Sequence, residues 1–220
     1  MQYLFLLLFF LMFQCTQPTL NNPSDIQSDA FKENETLLCL TGQLSACRIP
    51  VPVCTTCRFF STSVTYDGNR GGIVGADAKC MADSKKPTEP VGAVYKAFLV
   101  DDVNRIACTT SNCTTGGNSE HKDWILKPNT TYKRAVDTVI IATTNSVGIF
   151  TTQTNDAENP TVIDVFTGLD TSGWLTRVSG DHCTRWTSNA VSGAATNSSS
   201  LTTSTLRACS TTSAMLCVEQ

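Results

Sequence analysis

The chain has 220 residues and a formal net charge of −3, so it is long enough for one well-cored domain with a leader but too short for two large domains. Only 16% of its residues are charged, whereas serine and threonine together supply about a quarter, which makes the surface polar through hydroxyl groups. The slightly negative charge excludes a chain-wide electrostatic attraction to nucleic acid or to other polyanions.

The chain begins with an unbroken apolar run at residues 3–13, which stops at Gln14 and is followed by Cys15. The run has the length of a signal-peptide hydrophobic region and is too short to span a bilayer, which takes about 20 helical residues. Eleven cysteines indicate an oxidising compartment in which thiols pair, so the odd one requires a separate role. A cysteine directly after such a run is where bacterial lipoproteins are cut and acylated. We therefore predict a lipoprotein signal peptide at residues 1–14 and lipidation of Cys15; the alternative is an ordinary secretory leader with an incidental cysteine.

Residues 15–57 are predicted to form a lipid-anchored tether with a cysteine cluster. The part from 16 to about 35 is polar, contains two prolines and lacks apolar periodicity, which is typical of a flexible linker. The cluster has only one closely spaced pair, whereas zinc sites usually have two, and its flanks lack the strand and helix of a thioredoxin-type redox motif. We expect two local disulfides, whose pairing the sequence leaves open, among Cys39, Cys47, Cys54 and Cys57.

From residue 58 onward the sequence predicts short strands, one main helix and long loops. Residues 76–83 are rich in alanine and predict the helix. Residues 170–205 are mostly small and polar and are predicted to be irregular loops. The predicted helix and strands together indicate an α+β fold. Runs of β-branched and aromatic residues predict strands at 58–66, 93–100, 124–126, 138–142, 162–169 and 214–218.

The cysteine layout resembles a known fold. Cys80 lies in the predicted helix, Cys217 in the last predicted strand, and Cys209 eight residues before that. This layout resembles the C-type lectin-like fold, including its endostatin branch. Over residues 58–220 the amino-acid sequence is also similar to the sequences of the leptospiral endostatin-like surface lipoproteins. We therefore expect a C-type lectin-like domain there. The most similar stretches are 71–80, 95–101, 104–108, 120–127 and 216–220.

The resemblance implies a disulfide pattern. It pairs Cys80 with Cys217 and, nested inside that bridge, Cys183 with Cys209. Cys108 and Cys113 remain and are interpreted as a local loop staple. Since each ordered residue loses about 1 to 2 kcal/mol of conformational entropy, a domain with this much loop depends on bridges that close long segments. We expect reduction to unfold residues 58–220.

Sugar-binding and catalytic chemistry are not predicted. Calcium-dependent lectins use Glu-Pro-Asn or Gln-Pro-Asp and Trp-Asn-Asp triplets, because calcium needs six to eight oxygen ligands. Here the order is Glu158-Asn159-Pro160, and no acid follows Trp186-Thr187-Ser188-Asn189. His121 and His182 are isolated and lack metal-ligand spacing, and no nucleophile-elbow pattern is present. We expect no cofactor, no metal and no catalytic residue; an enzyme and a carbohydrate-binding lectin are the minor alternatives.

The resemblance implies a function at the host surface. Members of that family bind extracellular-matrix proteins such as laminin and fibronectin, and some bind complement factor H or plasminogen. This predicts a virulence-associated adhesin, lipid-anchored and surface-exposed on the bacterial outer membrane, without a nucleic-acid partner. The principal alternative is a structural envelope lipoprotein without a host ligand. Because exposed tryptophan and arginine dominate binding hot spots, we expect ligand contacts at Trp174, Arg177, Arg185 and Trp186; the alternative, favoured for Trp186, is that the tryptophans fill the core.

Overall fold

The computed structural model describes residues 28–40, 53–158, 163–170, 173–177 and 180–220. The chain divides into two units, Met1–Val51 and Pro52–Gln220. None of the helices in the described ranges is long and apolar enough to cross a membrane. The predicted leader, Cys15, Cys47 and the side chain of Cys39 lie outside the described residues.

Helix α1, Asp29–Leu40, lies in the first unit. The Ser28 hydroxyl accepts a hydrogen bond from the backbone N–H of Phe31 at 3.1 Å, as an N-cap does. Asp29 adds a negative charge in the first turn, where the helix dipole favours it. The expectation of irregular chain up to about residue 35 is therefore wrong from residue 29 onward, because local capping marks this helix in the absence of apolar periodicity.

The second unit has eight short strands among its described residues. They form a five-stranded sheet in the order β2-β8-β1-β3-β4 and a three-stranded sheet in the order β5-β6-β7. Strands β1 and β3 are parallel, and every other neighbouring pair is antiparallel. In chain order the strands are β1 (Thr56–Ser61), β2 (Tyr95–Ala97), β3 (Thr131–Arg134), β4 (Ile140–Thr143), β5 (Asp164–Phe166), β6 (Ser192–Asn197), β7 (Ser200–Ala208) and β8 (Leu216–Glu219).

Helix α2, Gly72–Ala82, packs beside β2. Its buried face contains Ile73, Ala76 and Cys80, spaced three and four residues apart, as one stripe of a helix requires. The helix begins four residues earlier than predicted. Gly71, the residue before it, has φ of 80°, a left-handed conformation that glycine adopts without strain. Two 3₁₀ turns, Ser111–Cys113 and Gly117–Glu120, lie in the loop before β3.

Four disulfides occur among the described residues. Both pairs that the resemblance implied are present, the remaining Cys108–Cys113 pair is bridged as interpreted, and the cysteine cluster contributes one local pair. Cys80–Cys217 joins α2 to β8, while Cys183–Cys209 lies nested inside it in the sequence. The bridges are Cys54–Cys57, Cys80–Cys217, Cys108–Cys113 and Cys183–Cys209.

The α+β class is confirmed, with differences in detail. Five predicted strands overlap observed ones, but residues 124–126 form no strand, although Ile125 and Leu126 are buried. The prediction of loops over 170–205 is wrong from residue 192 onward, because β6 and most of β7 lie there. Strand β6 lacks large side chains: it is held by pairing with β5 and β7 and by burial of Ala194 and Ala195.

Candidate functional site

A surface cavity of about 710 Å³ lies where the loop after β2 meets the segment before β6. Asp102 and Asn104 come from the first loop, and the chain from Gly180 to Arg185 supplies most of the opposite wall. Most of the lining residues are polar by type and supply two carboxylates, one guanidinium, hydroxyl groups and one imidazole. The side chains that line the cavity include those of Asp102, Asp181, His182, Thr184 and Arg185.

One wall of the cavity is formed by a turn whose backbone is in the left-handed conformation. It comprises Cys183–Trp186, and we call it the left-handed turn. All four residues have positive φ values, between 52° and 63°, although none is glycine. The turn closes with a hydrogen bond from the backbone N–H of Trp186 to the carbonyl of His182, at 2.8 Å. Each such residue costs about 1 to 2 kcal/mol relative to the right-handed form. Backbone strain of this kind persists only where the surroundings enforce it, and it clusters at ligand clamps and active sites.

Three contacts hold the left-handed turn in place. The Cys183–Cys209 disulfide ties its first residue to the segment after β7. Trp186, its last residue, is fully buried and donates its indole N–H to the carbonyl of Val100 at 3.0 Å. Between them, the side chain of Arg185 is directed into the cavity wall and forms an ion pair with Asp102.

The Arg185–Asp102 pair is bidentate and open to solvent. Nε of Arg185 donates to Oδ1 at 2.7 Å and Nη2 donates to Oδ2 at 2.9 Å. These hydrogen bonds hold the pKa of Asp102 below its ordinary value and raise the pKa of Arg185. The two side chains are 50% and 46% exposed, so water screens the pair and it adds little to folding stability. It is a pre-arranged charge pattern on the surface.

A second arginine is connected to the same cavity. Nε of Arg177 lies 3.2 Å from a carboxylate oxygen of Asp181, which lines the cavity, and Nη1 donates to the hydroxyl of Ser204 at 3.1 Å. Arg177 is only one-quarter exposed. We call the four residues Asp102, Arg177, Asp181 and Arg185 the arginine–aspartate surface.

His182 is held by the turn and by Asp102. Its Nδ1 accepts a hydrogen bond from the backbone N–H of Arg185 at 2.8 Å, so Nδ1 carries no proton. Its Nε2 lies 3.3 Å from Oδ1 of Asp102. Because both ring nitrogens already have partners, neither faces a substrate as a free base. This geometry gives His182 a structural role at the entrance to the left-handed turn.

The tryptophans named from the sequence are not surface anchors. Trp174 is 1% exposed and Trp186 is fully buried, so the expectation of ligand contact at Trp174 is wrong, whereas the core position favoured for Trp186 is confirmed. The Trp174 indole packs among aromatic rings and donates to the carbonyl of Phe150 at 3.1 Å. A buried tryptophan removes a large apolar area from water provided that its N–H finds an acceptor, and both residues meet that condition.

One cluster in the described residues has the composition of a metal site. The ligand atoms of Cys108, Cys113 and His121 lie within 4.8 Å of one another. The two sulfurs form a disulfide and offer no thiolate, and the imidazole nitrogens of His121 face the carbonyls of Ala107 and Val147. The two cysteines of the cluster therefore form a disulfide that closes a short loop, as expected for this pair.

Asp102 and Asp181 were not identified from the sequence. Asp102 lies 83 residues before its partner Arg185, so no local spacing relates them. The sequence signals at this site are the residue types of Arg177 and Arg185 themselves. Of the four predicted ligand residues, the structure brings Arg177 and Arg185 to one surface and removes the other two into the core.

A family model described as "Protein of unknown function (DUF1554)" matches residues 63–205. The matched range is well over half of the chain and includes α2, the left-handed turn and the residues of the arginine–aspartate surface. It excludes β1 and β8, which lie at the two ends of the second unit. No curated protein matches the chain.

Proposed function

This chain belongs to the DUF1554 family, and we propose that it acts outside the cell as a lipid-anchored adhesin that binds host proteins through the arginine–aspartate surface. In this proposal the second unit is a C-type lectin-like domain of the endostatin-like lipoproteins, and Cys15 carries the lipid that holds it on the bacterial outer membrane. The partners are laminin, fibronectin, complement factor H or plasminogen.

The observation that carries the proposal is the combination of a strained backbone with an exposed charge pair. Four consecutive left-handed residues place Arg185 against Asp102 at the rim of an open cavity, and a disulfide and a buried tryptophan hold them there. A rigid, pre-organised surface loses little conformational entropy when it binds. Arginine is also among the residues enriched at binding hot spots.

The polarity of the surface favours a protein partner with charged groups. Two arginines alternate with two aspartates, so a partner with the complementary pattern can exchange ion pairs with them. Electrostatic complementarity of this kind gives specificity and speeds association. Four disulfides within the described residues suit an oxidising compartment outside the cytosol, which supports the extracellular location.

Surface plasmon resonance with the oxidised full chain tests the proposal. We expect binding to at least one of the four host proteins, and Arg185→Ala weakens it by about tenfold or more, as for a hot-spot residue. Arg207→Ala is the matched control, because Arg207 forms its own ion pair with Asp164 and does not line the cavity. We expect this variant to change the affinity less than about twofold. Absence of binding to all four proteins contradicts the adhesin proposal, and equal effects of the two substitutions place the contact elsewhere.

Two further measurements test the location. Metabolic labelling with a fatty acid labels the wild-type chain and not Cys15→Ala; label retained by the variant contradicts lipidation at this residue.

Protease treatment of intact cells removes a surface-exposed domain, whereas a domain that survives faces inward and favours the structural envelope lipoprotein.

A further inference from the structure

The Cys54–Cys57 disulfide differs from the other bridges in its small ring. Only three positions separate its cysteines, against 137 for Cys80–Cys217. Loop-closure entropy grows with ring size, so the small ring constrains the unfolded chain far less. This bridge therefore contributes little to the free energy of unfolding, and folding stability does not explain its presence.

The two sulfurs of this bridge differ in access. Cys57 is fully buried in the core, where β1 pairs it with Tyr132. Cys54 is half-buried and lines a surface cavity of about 320 Å³. Thiol–disulfide exchange needs an approach to one particular sulfur, and here that sulfur is Cys54.

A lysine ammonium lies beside the accessible sulfur. Nζ of Lys127 is 3.7 Å from Sγ of Cys54, and across the described ranges no carboxylate comes within salt-bridge distance of it. The nearby Glu219 carboxylate is already bound by Arg58, with Nη2 2.7 Å from Oε1 and Nε 2.8 Å from Oε2. Burial lowers the pKa of Lys127 and outweighs the opposing effect of the Glu219 charge. A Cys54 thiolate would supply a close counter-ion.

We propose that Cys54 and Cys57 form a thiol–disulfide exchange site for protein or small-molecule disulfides, in which Cys54 is the attacking thiolate, Cys57 the resolving thiol and Lys127 the positioning cation. A cation next to a cysteine favours the thiolate. In thioredoxin-type motifs a helix follows the first cysteine, whereas here Cys57 lies in β1 and the positive charge comes from a side chain. The site shares no residue with the arginine–aspartate surface, and the proposal does not depend on adhesion.

The reaction balances in two steps. The Cys54 thiolate attacks one sulfur of the partner disulfide, forms a mixed disulfide and expels a thiolate, which takes up a proton. Cys57 then loses its proton, attacks Sγ of Cys54, restores the Cys54–Cys57 bond and releases the second partner thiolate, which is protonated. The dithiol thus loses two electrons and two protons, and the partner disulfide becomes two thiols. A small thiol or a partner dithiol reduces the site by the reverse sequence.

The first test places the oxidised full chain in buffers with increasing ratios of reduced to oxidised glutathione, then alkylates it and maps the peptides. We expect Cys54–Cys57 to open at a lower ratio than Cys108–Cys113, a similarly small ring with both sulfurs buried. We also expect Cys57→Ser to accumulate a glutathione adduct on Cys54, while Cys113→Ser accumulates less than one-tenth as much on Cys108. Opening of the two bridges at the same ratio, or equal adducts, overturns the proposal.

The second test measures the role of Lys127 in the Cys57→Ser background, where Cys54 is a free thiol and needs no reduction. Lys127→Met is expected to slow iodoacetamide alkylation of Cys54 about tenfold at pH 7 and to move its pH profile upward by about one unit. The control is Lys122→Met, which removes an exposed lysine charge of the same sign and leaves the profile unchanged. An intact Cys80–Cys217 bridge in every variant shows that the unit is folded. Equal profiles in the two lysine variants overturn the role of Lys127.

Discussion

Arg105, beneath helix α2, and Arg70, beside the left-handed turn, are both fully buried, and each belongs to a region that a disulfide closes. We call these the helix region, which contains α2 and Cys80–Cys217, and the turn region, which contains the left-handed turn and Cys183–Cys209. Each region therefore contains one fully buried arginine and one disulfide. They differ in how the buried guanidinium is accommodated.

In the helix region, carboxylates surround the guanidinium. Arg105 donates from Nη1 and Nη2 to the two carboxylate oxygens of Asp77, at 3.0 and 2.6 Å, and from Nε to Asp123 at 2.9 Å. It also donates to the carbonyl of Ala97 at 2.8 Å. Burial alone would lower the pKa of Arg105, but the two carboxylates outweigh burial and raise it.

In the turn region, no carboxylate of a described residue forms a hydrogen bond with the guanidinium, although the charge of Asp67 acts on it. Arg70 donates to the carbonyl of Asp67 at 3.1 Å and to the hydroxyl of Ser213 at 3.2 Å, and Nη1 has no partner among the described residues. The guanidinium carbon lies 5.2 Å from the ring centroid of Phe166 and 5.6 Å from that of Trp186. Burial lowers the pKa of Arg70 to about 9.

The two regions differ in how fully their buried polar groups are paired. The helix region satisfies its buried charge, whereas the turn region retains an unpaired cation and four left-handed residues. Structures keep such unfavourable features where they position a functional surface. The exposed Arg185–Asp102 pair lies on the strained turn, which is consistent with binding at that surface.

Removing the bridge of the helix region is expected to have the largest effect on stability. Cys80→Ala with Cys217→Ala opens a loop with a sequence separation of 137, and loop-closure entropy gives a loss of about 5 kcal/mol. The matched change in the turn region, Cys183→Ala with Cys209→Ala, opens a separation of 26 and is expected to lose about 3.5 kcal/mol. Urea unfolding measures both. A larger loss in the turn region would reverse the comparison.

Removing the paired arginine is expected to have the next largest effect. Arg105→Met leaves the Asp77 and Asp123 carboxylates without their shared partner, and breaking such a buried pair costs about 3 to 5 kcal/mol. Thermal and urea unfolding measure the loss. Asp123→Asn is a milder control, because its side chain is 39% exposed and Lys96 is its other partner. If Arg105→Met were no worse than Asp123→Asn, the network would contribute little.

Acid is expected to weaken the helix region through Asp123. Burial would raise the pKa of Asp123, but hydrogen bonds from Lys96 and Arg105 outweigh it and lower the pKa. A carboxyl with a lowered folded pKa contributes stability that is present above its unfolded value, near 4, and lost as pH falls through its folded value. Since the side chain is partly exposed, the contribution is below about 1 kcal/mol. The pH dependence of unfolding is expected to flatten below pH 4 in Arg105→Met; an unchanged slope would contradict this.

Much of the fold could be predicted from the sequence because it rests on local patterns. Runs of β-branched and aromatic residues marked most of the first sheet, and alanine-rich sequence marked α2. Strand β6, which reads Ser-Gly-Ala-Ala-Thr-Asn, carries no such pattern because partner strands determine its pairing. The same holds for β3, whose Tyr132 is buried between polar neighbours.

The candidate site was less predictable because it depends on distant residues and on unusual backbone. Arg177 and Arg185 could be named from residue type, but Asp102 and Asp181 became partners only through the fold. A left-handed stretch without glycine has no sequence signal, since tertiary contacts impose it. Arg70 lacks a signal for the same reason: nothing in its neighbours along the chain indicates full burial.

Arg70→Met is expected to have the smallest effect, within about 1 kcal/mol of the wild type. The substitution removes a buried cation that has no carboxylate, which favours folding. It also removes the aromatic stacking and two hydrogen bonds, each worth about 1 kcal/mol, which opposes folding. Arg105→Met provides the contrast, because there the same replacement leaves carboxylates unpaired.

The stability difference between the wild type and Arg70→Met should depend on pH. Burial holds the folded pKa of Arg70 near 9, well below its value in the unfolded chain. The unfolded chain therefore binds more protons between these two pKa values, and Arg70 destabilises the fold fully below pH 9 and less above it. Buried tyrosines act in the opposite direction, since burial raises the pKa of Tyr132 to about 12. The informative quantity is therefore the difference between wild type and Arg70→Met, which should shift in favour of the wild type as pH rises from 8 to 11. A constant difference over that range would mean that the guanidinium stays protonated in the fold and that aromatic stacking suffices to hold an unpaired charge.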